Sequence, residues 1–351
     1  MTQMKIMAKS IAMFIFAAAI TFWPKGANGV EQSMAAAALE WELTNLEFAP
    51  ESRMGTAMAF FDSTSELILF GGNFNSKSFD DTWGWDGTKW TEKKTAHRPP
   101  KSNSHAMAYD PIRKEIVLIG GFQNGKMGNG TWLYNGKDWR EAKPATKPQY
   151  SVNSAMAFNH ASGRVMLFGG TFDDANKFWE WDGQNWVKIT FDAGPAPRAY
   201  AGLAFDQARN EMIMFGGITN PYEAKPKIYN DTWAWNGKSW HAIPTPVSPS
   251  SRYYHKMEYH PELKAIILVG GRKGKRDNGP GPEGLFSDTW SWNGNAWTQH
   301  PSKNSIQPAY SYGMGYNKLT KVFFAYLGDS LMCATRGPKI FTLRKGKSGN
   351  E

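Results

Sequence analysis

The sequence predicts an all-β chain built from six copies of a four-stranded antiparallel unit set around a common axis. Three observations predict it. An apolar run ending in a glycine pair occurs five times, at Ile68–Gly72, Val117–Gly121, Met166–Gly170, Ile213–Gly217 and Ile267–Gly271. An aromatic-x-aromatic-Asp/Asn-Gly group follows each pair: Trp83/Trp85/Gly87, Trp132/Tyr134/Gly136, Trp179/Trp181/Gly183, Trp233/Trp235/Gly237 and Trp290/Trp292/Gly294. A further tryptophan stands three residues past each of those glycines, at Trp90, Trp139, Trp186, Trp240 and Trp297.

The physical reading of one copy is direct. Asp-Gly or Asn-Gly between apolar runs marks a tight hairpin, because its turn requires positive φ. Residues i and i+2 of a strand share a face. Each hairpin therefore stacks three aromatics on one side, suited to packing against a neighbouring sheet. A strand rich in small residues precedes each Gly pair: Ala57–Phe60, Ala106–Tyr109, Ala155–Phe158, Leu203–Phe205 and Met257–Tyr259. Small side chains suit a crowded innermost position. A sixth, degenerate copy follows, since Tyr316–Gly328 aligns with Tyr109–Gly121 without a gap. Its third strand is expected at Ile340–Leu343, and no tryptophan follows it. Leu39–Leu43, carrying Trp41, looks like the missing outer strand, so the N-terminal strand is expected to complete the last copy and leave no open edge.

With these markers the chain resembles the kelch-repeat β-propellers, whose period is roughly 50 residues. The resemblance runs from Leu39 to Leu343 and implies an all-β, six-bladed kelch β-propeller with its last blade closed by an N-terminal strand. The expected layout is a signal peptide or N-terminal anchor over 1–29, a linker over 30–38, the propeller over 39–345 and a tail over 346–351.

Lys5 and Lys9 before the apolar run Ile11–Phe22, with Ala27 and Gly29 beyond it, have the layout of a secretory signal. The run is shorter than the ~20 residues of a spanning helix. A secreted or periplasmic location is expected, with membrane tethering only through an uncleaved N-terminal segment. The lone cysteine, Cys333, excludes an intrachain disulfide framework. The net charge of +9 is spread over loops and termini, and no stretch interleaves basic and aromatic residues as a nucleic-acid groove does, so no nucleic-acid partner is expected.

Fold does not specify function here. In kelch propellers the loops between the second and third strands open on one face. In this chain they lengthen in copies four (Ile218–Thr232) and five (Arg272–Thr289). The fifth loop carries Arg272, Lys273, Lys275, Arg276, Asp277 and Glu283; the fourth carries Tyr222, Glu223, Lys225, Lys227 and Tyr229. Aligning the starts of the innermost strands gives a ring reading Arg53, Ser102, Val152, Arg198, Arg252, Ala309. Three residues on, a second ring reads Thr56, His105, Ala155, Ala201, His255, Tyr312. Arg53, His105, Arg198, Tyr200, Arg252, His255, Arg272 and Tyr312 are the candidate ligand-binding residues, suited to an anionic or polyhydroxylated ligand. Kelch repeats also use Arg and His at these positions to hold the loop between blades, so a structural role stands beside the binding one.

The expected function is ligand binding, to a glycan or protein, by a monomer acting through the face with the long fourth and fifth loops. The alternative is a small-sugar enzyme like the periplasmic kelch sialic-acid mutarotases, with Arg252, His255 and Glu258 supplying clamp and acid/base groups. A galactose-oxidase-like site would need copper held by Tyr and His beside a Cys-Tyr cross-link. Cys333 lies late in copy six and no His pair suits copper, so no metal and no cofactor is expected. Asp81, Asp231 and Asp288, each before a Thr, are read as structural hydrogen-bonding groups and not as calcium ligands.

Overall fold

The computed structural model describes residues 39–345 except 45, 47, 124, 172–176, 275–283, 302–311 and 328–338. The expected signal segment, linker, tail and Cys333 lie outside the described residues, as do Lys275, Arg276, Asp277 and Glu283. The described chain is all-β, with no α-helix, so among these residues no helix is long and apolar enough to cross a membrane.

Six four-stranded antiparallel sheets account for nearly all the strands. Sheet one pairs, in order, Ala57–Phe61, Glu66–Phe70, Thr82–Trp85 and Trp90–Lys93. Sheet two repeats the order with Ala106–Asp110, Glu115–Ile119, Thr131–Tyr134 and Trp139–Ala142. Sheet three contains Ala155–Asn159, Arg164–Phe168, Phe178–Trp181 and Trp186–Lys188. Sheet four contains Gly202–Asp206, Glu211–Phe215, Thr232–Trp235 and Trp240–Ile243. Sheet five contains Lys256–His260, Ala265–Val269, Thr289–Trp292 and Trp297–His300. Sheet six departs in connectivity: Tyr312–Asn317, Val322–Leu327 and Lys339–Lys345 are joined by Leu39–Thr44 as the outer strand. The register of that last pair runs from Leu39 opposite Lys345 to Thr44 opposite Ile340.

Each sheet is apolar on both faces, so each second strand is buried along nearly its whole length. Six core clusters lie between sheets. One sets Ala57, Ile68 and Phe70 of sheet one against Met107, Tyr134 and Trp139 of sheet two. Others join sheets two and three, three and four, four and five, and five and six. The sixth sets Trp83, Trp85 and Trp90 of sheet one against Phe324 and Tyr326 of sheet six. The hairpin tryptophans do share one face. In sheets one, three, four and five the i+2 tryptophan and its cross-strand partner have ring centroids 5.4–5.6 Å apart.

The outer tryptophans also tie sheets together through their indole N–H groups. Trp139 Nε1 donates to Thr82 Oγ1 of the preceding sheet at 2.8 Å, Trp186 to Thr131 at 3.0 Å, Trp297 to Thr232 at 2.9 Å, and Trp41 to Thr289 at 2.8 Å. In sheet three Phe178 replaces the threonine, and Trp240 packs on its ring instead, at 5.2 Å between centroids. These threonines therefore serve the neighbouring sheet, including Thr82, Thr232 and Thr289, which each follow an Asp.

Trp41 fills the outer position of sheet six and is 2% exposed. Trp41→Ala removes the inter-sheet hydrogen bond and opens a cavity where the chain's two ends meet. It is expected to lower stability by about 3–5 kcal/mol, read as a reduced urea midpoint with the strand content of the remaining fold kept.

Candidate functional site

The three arginines of the sequence-derived ring are structural. Arg198 is 1% exposed; its Nη1 donates to the Gly216 carbonyl at 2.9 Å and its two Nη groups clasp Asp231 at 2.5 and 2.9 Å. Its guanidinium lies over the Tyr229 ring at 3.8 Å. Arg53 repeats the arrangement with Gly71, Asp81 and Phe79. Arg252 repeats it with Gly270, Asp288 and Phe286. Each aspartate also accepts from the indole of Trp83, Trp233 or Trp290 two residues on. Burial alone would raise the Asp81 and Asp231 carboxyls, but the guanidinium and indole donors outweigh it and hold them below the usual carboxylate range. None of these arginines reaches a free surface, which corrects their assignment as ligand contacts.

The two histidines are structural as well. His105 is 6% and His255 2% exposed. His255 Nε2 accepts from the Gly202 N–H at 3.1 Å, and His105 Nδ1 meets Ser102 Oγ at 3.2 Å. Each ring is wedged against the preceding sheet's Gly pair. A Cβ on Gly71 would sit 3.1 Å from the His105 ring, and one on Gly216 would sit 3.0 Å from the His255 ring. Burial pushes the His105 imidazole down to about 3 and the His255 imidazole well below its usual value, so both are neutral.

Beside them lies a further set of residues, of which the sequence singled out only Tyr200. The residues two positions before the innermost strands, Gly55, Ser104, Asn153, Tyr200 and Tyr254, all have positive φ, between 55° and 69°. The N–H of each of the last four donates to the carbonyl of the equivalent residue in the preceding sheet: Ser104 to Gly55 at 2.7 Å, Asn153 to Ser104 at 2.9 Å, Tyr200 to Asn153 at 2.9 Å, and Tyr254 to Tyr200 at 3.2 Å. The result is a collar of main-chain hydrogen bonds. It also corrects the alignment in sheet three. Gly121 N–H bonds the Ser151 carbonyl as Gly72 bonds Ser102 and Gly217 bonds Arg252, so the ring residues there are Ser151 and Ser154, not Val152 and Ala155.

The collar borders a cavity of about 1030 Å³ lined by the innermost strands of all six sheets. Tyr200 and Tyr254 project from the collar with their rings 3.8 Å apart between centroids, and Tyr253 lies 6.0 Å from Tyr200. A tyrosine in the left-handed region is uncommon and costs energy that the hydrogen-bonded collar offsets. Arg272 lines the same mouth and bridges Tyr253 in an isolated β-pair. The structure thus brings Tyr200 and Arg272 together with Tyr253 and Tyr254, on the side of sheets four and five. Tyr312 begins the inner strand of sheet six, and its side chain lies outside the described residues.

Below the collar the lining falls into layers. Met58, Met107, Met156, Leu203, Met257 and Met314 form one, and Phe60, Tyr109, Phe158, Phe205, Tyr259 and Tyr316 another. Between them the lining is small in five sheets. The first strand position reads Ala57, Ala106, Ala155, Gly202 and Gly313, and the third reads Ala59, Ala108, Ala157, Ala204 and Gly315. Sheet five alone places Lys256 and Glu258 there, both lining the cavity. Lys256 is reached by solvent within the lumen while protein surrounds it, and this desolvation lowers its amine below the usual range. Burial pushes the Glu258 carboxyl up to about 7. Glu258 is the carboxylate that the sequence offered as an acid/base group; Lys256 was missed because the fifth inner strand was begun one residue late, at Met257. At the far mouth Asp62 pairs with Lys318 at 2.7 Å and Glu262 with Lys321 at 3.5 Å. Among the described residues no group of His, Cys, Asp and Glu gathers as a metal site requires. Compared with known protein families and with curated proteins, the sequence matches none.

The neutral histidines make stability pH-dependent. Unfolded imidazole titrates near 6.5, above the folded values, so the unfolded state binds more protons as pH falls. Stability is expected to decline from pH ~6.5 downward, by as much as about 1.4 kcal/mol per pH unit per histidine, and in His105 to level off only near pH 3. His105→Ser, which installs the residue type of Ser154, should flatten that slope between pH 7.5 and 5, measured by urea denaturation at each pH.

Proposed function

We propose that this is an exported, six-bladed kelch-type β-propeller, its last blade closed by the N-terminal strand, acting as a binding module for a small glycan at the collar mouth of its axial cavity. The single observation behind this reading is the Tyr200/Tyr254 pair, held in strained backbone at the entrance to the cavity. Paired aromatic faces suit the apolar face of a sugar ring. Arg272, 6% exposed, lines the cavity beside them. The six sheets, the cyclic succession of inter-sheet clusters and the pairing of both chain ends in one sheet support the fold. The kelch assignment rests on the repeated Gly pairs and Trp/Tyr-x-Trp/Tyr hairpins, and the exported location on the layout of residues 1–29. Ile218 and Arg272, which open the long loops, lie on the collar side, paired with Ala199 and Tyr253.

Tyr200→Gly is the sharp test, since glycine accepts the positive φ and removes only the ring. Glycan binding, screened on an array and confirmed by calorimetry, is expected to weaken at least tenfold in this variant while the melting temperature holds. Binding unchanged by Tyr200→Gly and Tyr254→Gly together would remove the mouth from the reading.

A second reading is favoured by Glu258. A carboxyl titrating near 7 inside a cavity suits general acid–base work on a reducing sugar, as in a mutarotase. NMR exchange between anomers tests it. Acceleration that Glu258→Gln abolishes is the expected result for an enzyme, and no acceleration across a sugar panel rejects it.

A further inference from the structure

Lys256 and Glu258 are the lumen's departure from sixfold repetition, and their chemistry specifies a ligand more narrowly than the collar does. They sit two residues apart on one strand, so both side chains leave the same face, separated by roughly 7 Å along it. Among the described residues no carboxylate lies within 4.0 Å of Lys256 and no cationic nitrogen within 4.0 Å of Glu258. The acids and bases at the far mouth, by contrast, satisfy one another. The fold itself does not need the pair, because the other five sheets fill these positions with alanine or glycine.

We propose that the lumen binds a small zwitterion, its anionic group on Lys256 Nζ and its ammonium on the Glu258 carboxylate. A ligand with one charge would leave the other protein group unmatched in a confined space, which disfavours it. A ligand with both sets an opposite charge against each residue at once. The flanking methionine and aromatic layers accept an apolar portion, so free amino acids and short peptides with apolar side chains fit best. This inference rests on the cavity being a ligand site, and not on the glycan nature of what meets the collar.

The test uses the full chain, titrated by calorimetry with pooled free amino acids and dipeptides, then with the best member, its N-acetylated form and its C-terminal amide. The zwitterion is expected to bind at least ~10-fold more tightly than either blocked form, as expected for truncating one side of an enclosed charge pair. Lys256→Ala should erase the preference for the free carboxylate and Glu258→Ala the preference for the free amine. Both variants install the residue of the other sheets, and their thermal melts should match or exceed the parent's. Blocked forms binding as well as the parent ligand, or no pool member binding, overturns the proposal. Glycan binding that survives such a failure and still depends on Tyr200 leaves the cavity reading standing; loss of both removes both.

Discussion

In four of the five glycine pairs, a main-chain hydrogen bond from the second glycine to the next sheet sets the spacing on which the rest of the fold depends. Gly72 reaches Ser102, Gly121 reaches Ser151, Gly170 reaches Arg198 and Gly217 reaches Arg252, at 2.6–3.0 Å. Successive sheets can approach this closely only where no side chain intervenes. A Cβ on Gly120 would stand 1.8 Å from the Ser151 carbonyl oxygen, and one on Gly71 2.7 Å from that of Ser102. Both glycines of a pair also adopt positive φ, which redirects the chain from the second strand toward the loop face. Once this distance is set, the indole-to-threonine bonds and the interleaved aromatic faces follow further out along each sheet.

The repeating frame was legible because its constraints are local and recur. A Gly pair, an Asp-Gly turn and tryptophans at fixed offsets each answer one steric demand, and repetition averages out the exceptions. The site was less legible for the opposite reason. Arg53, Arg198 and Arg252 looked like ligand contacts because charge is easy to see in sequence, whereas their partners Asp81, Asp231 and Asp288 lie some thirty residues away, just ahead of the third strand of each sheet. The collar was hidden because Gly, Ser, Asn and Tyr share no side-chain chemistry; what they share is a backbone conformation. In sheet three, where Ser151 and Ser154 stand in place of Arg and His, nothing marked the register, and it slipped by one.

Comparison among the sheets separates scaffold from specialisation. The Arg/Asp clasp is present as a whole in sheets one, four and five. In sheets two and three both members are replaced, by Ser102 with Gly130 and by Ser151 with Lys177. Such joint replacement is what a buried ion pair requires, since either charge alone would be costly. Lys256 and Glu258 behave differently. They replace small residues in a single sheet, and they point into space and not into a neighbour.

The collar has a mechanical consequence. Its donors and acceptors run along the mouth from sheet one to sheet five, each link holding residues of two adjacent sheets. Spreading two neighbouring sheets within that arc therefore stretches the link between them. Across these five sheets the spacing at the cavity edge is thus held by main chain alone, so the residue carried at a collar position can change without altering that spacing.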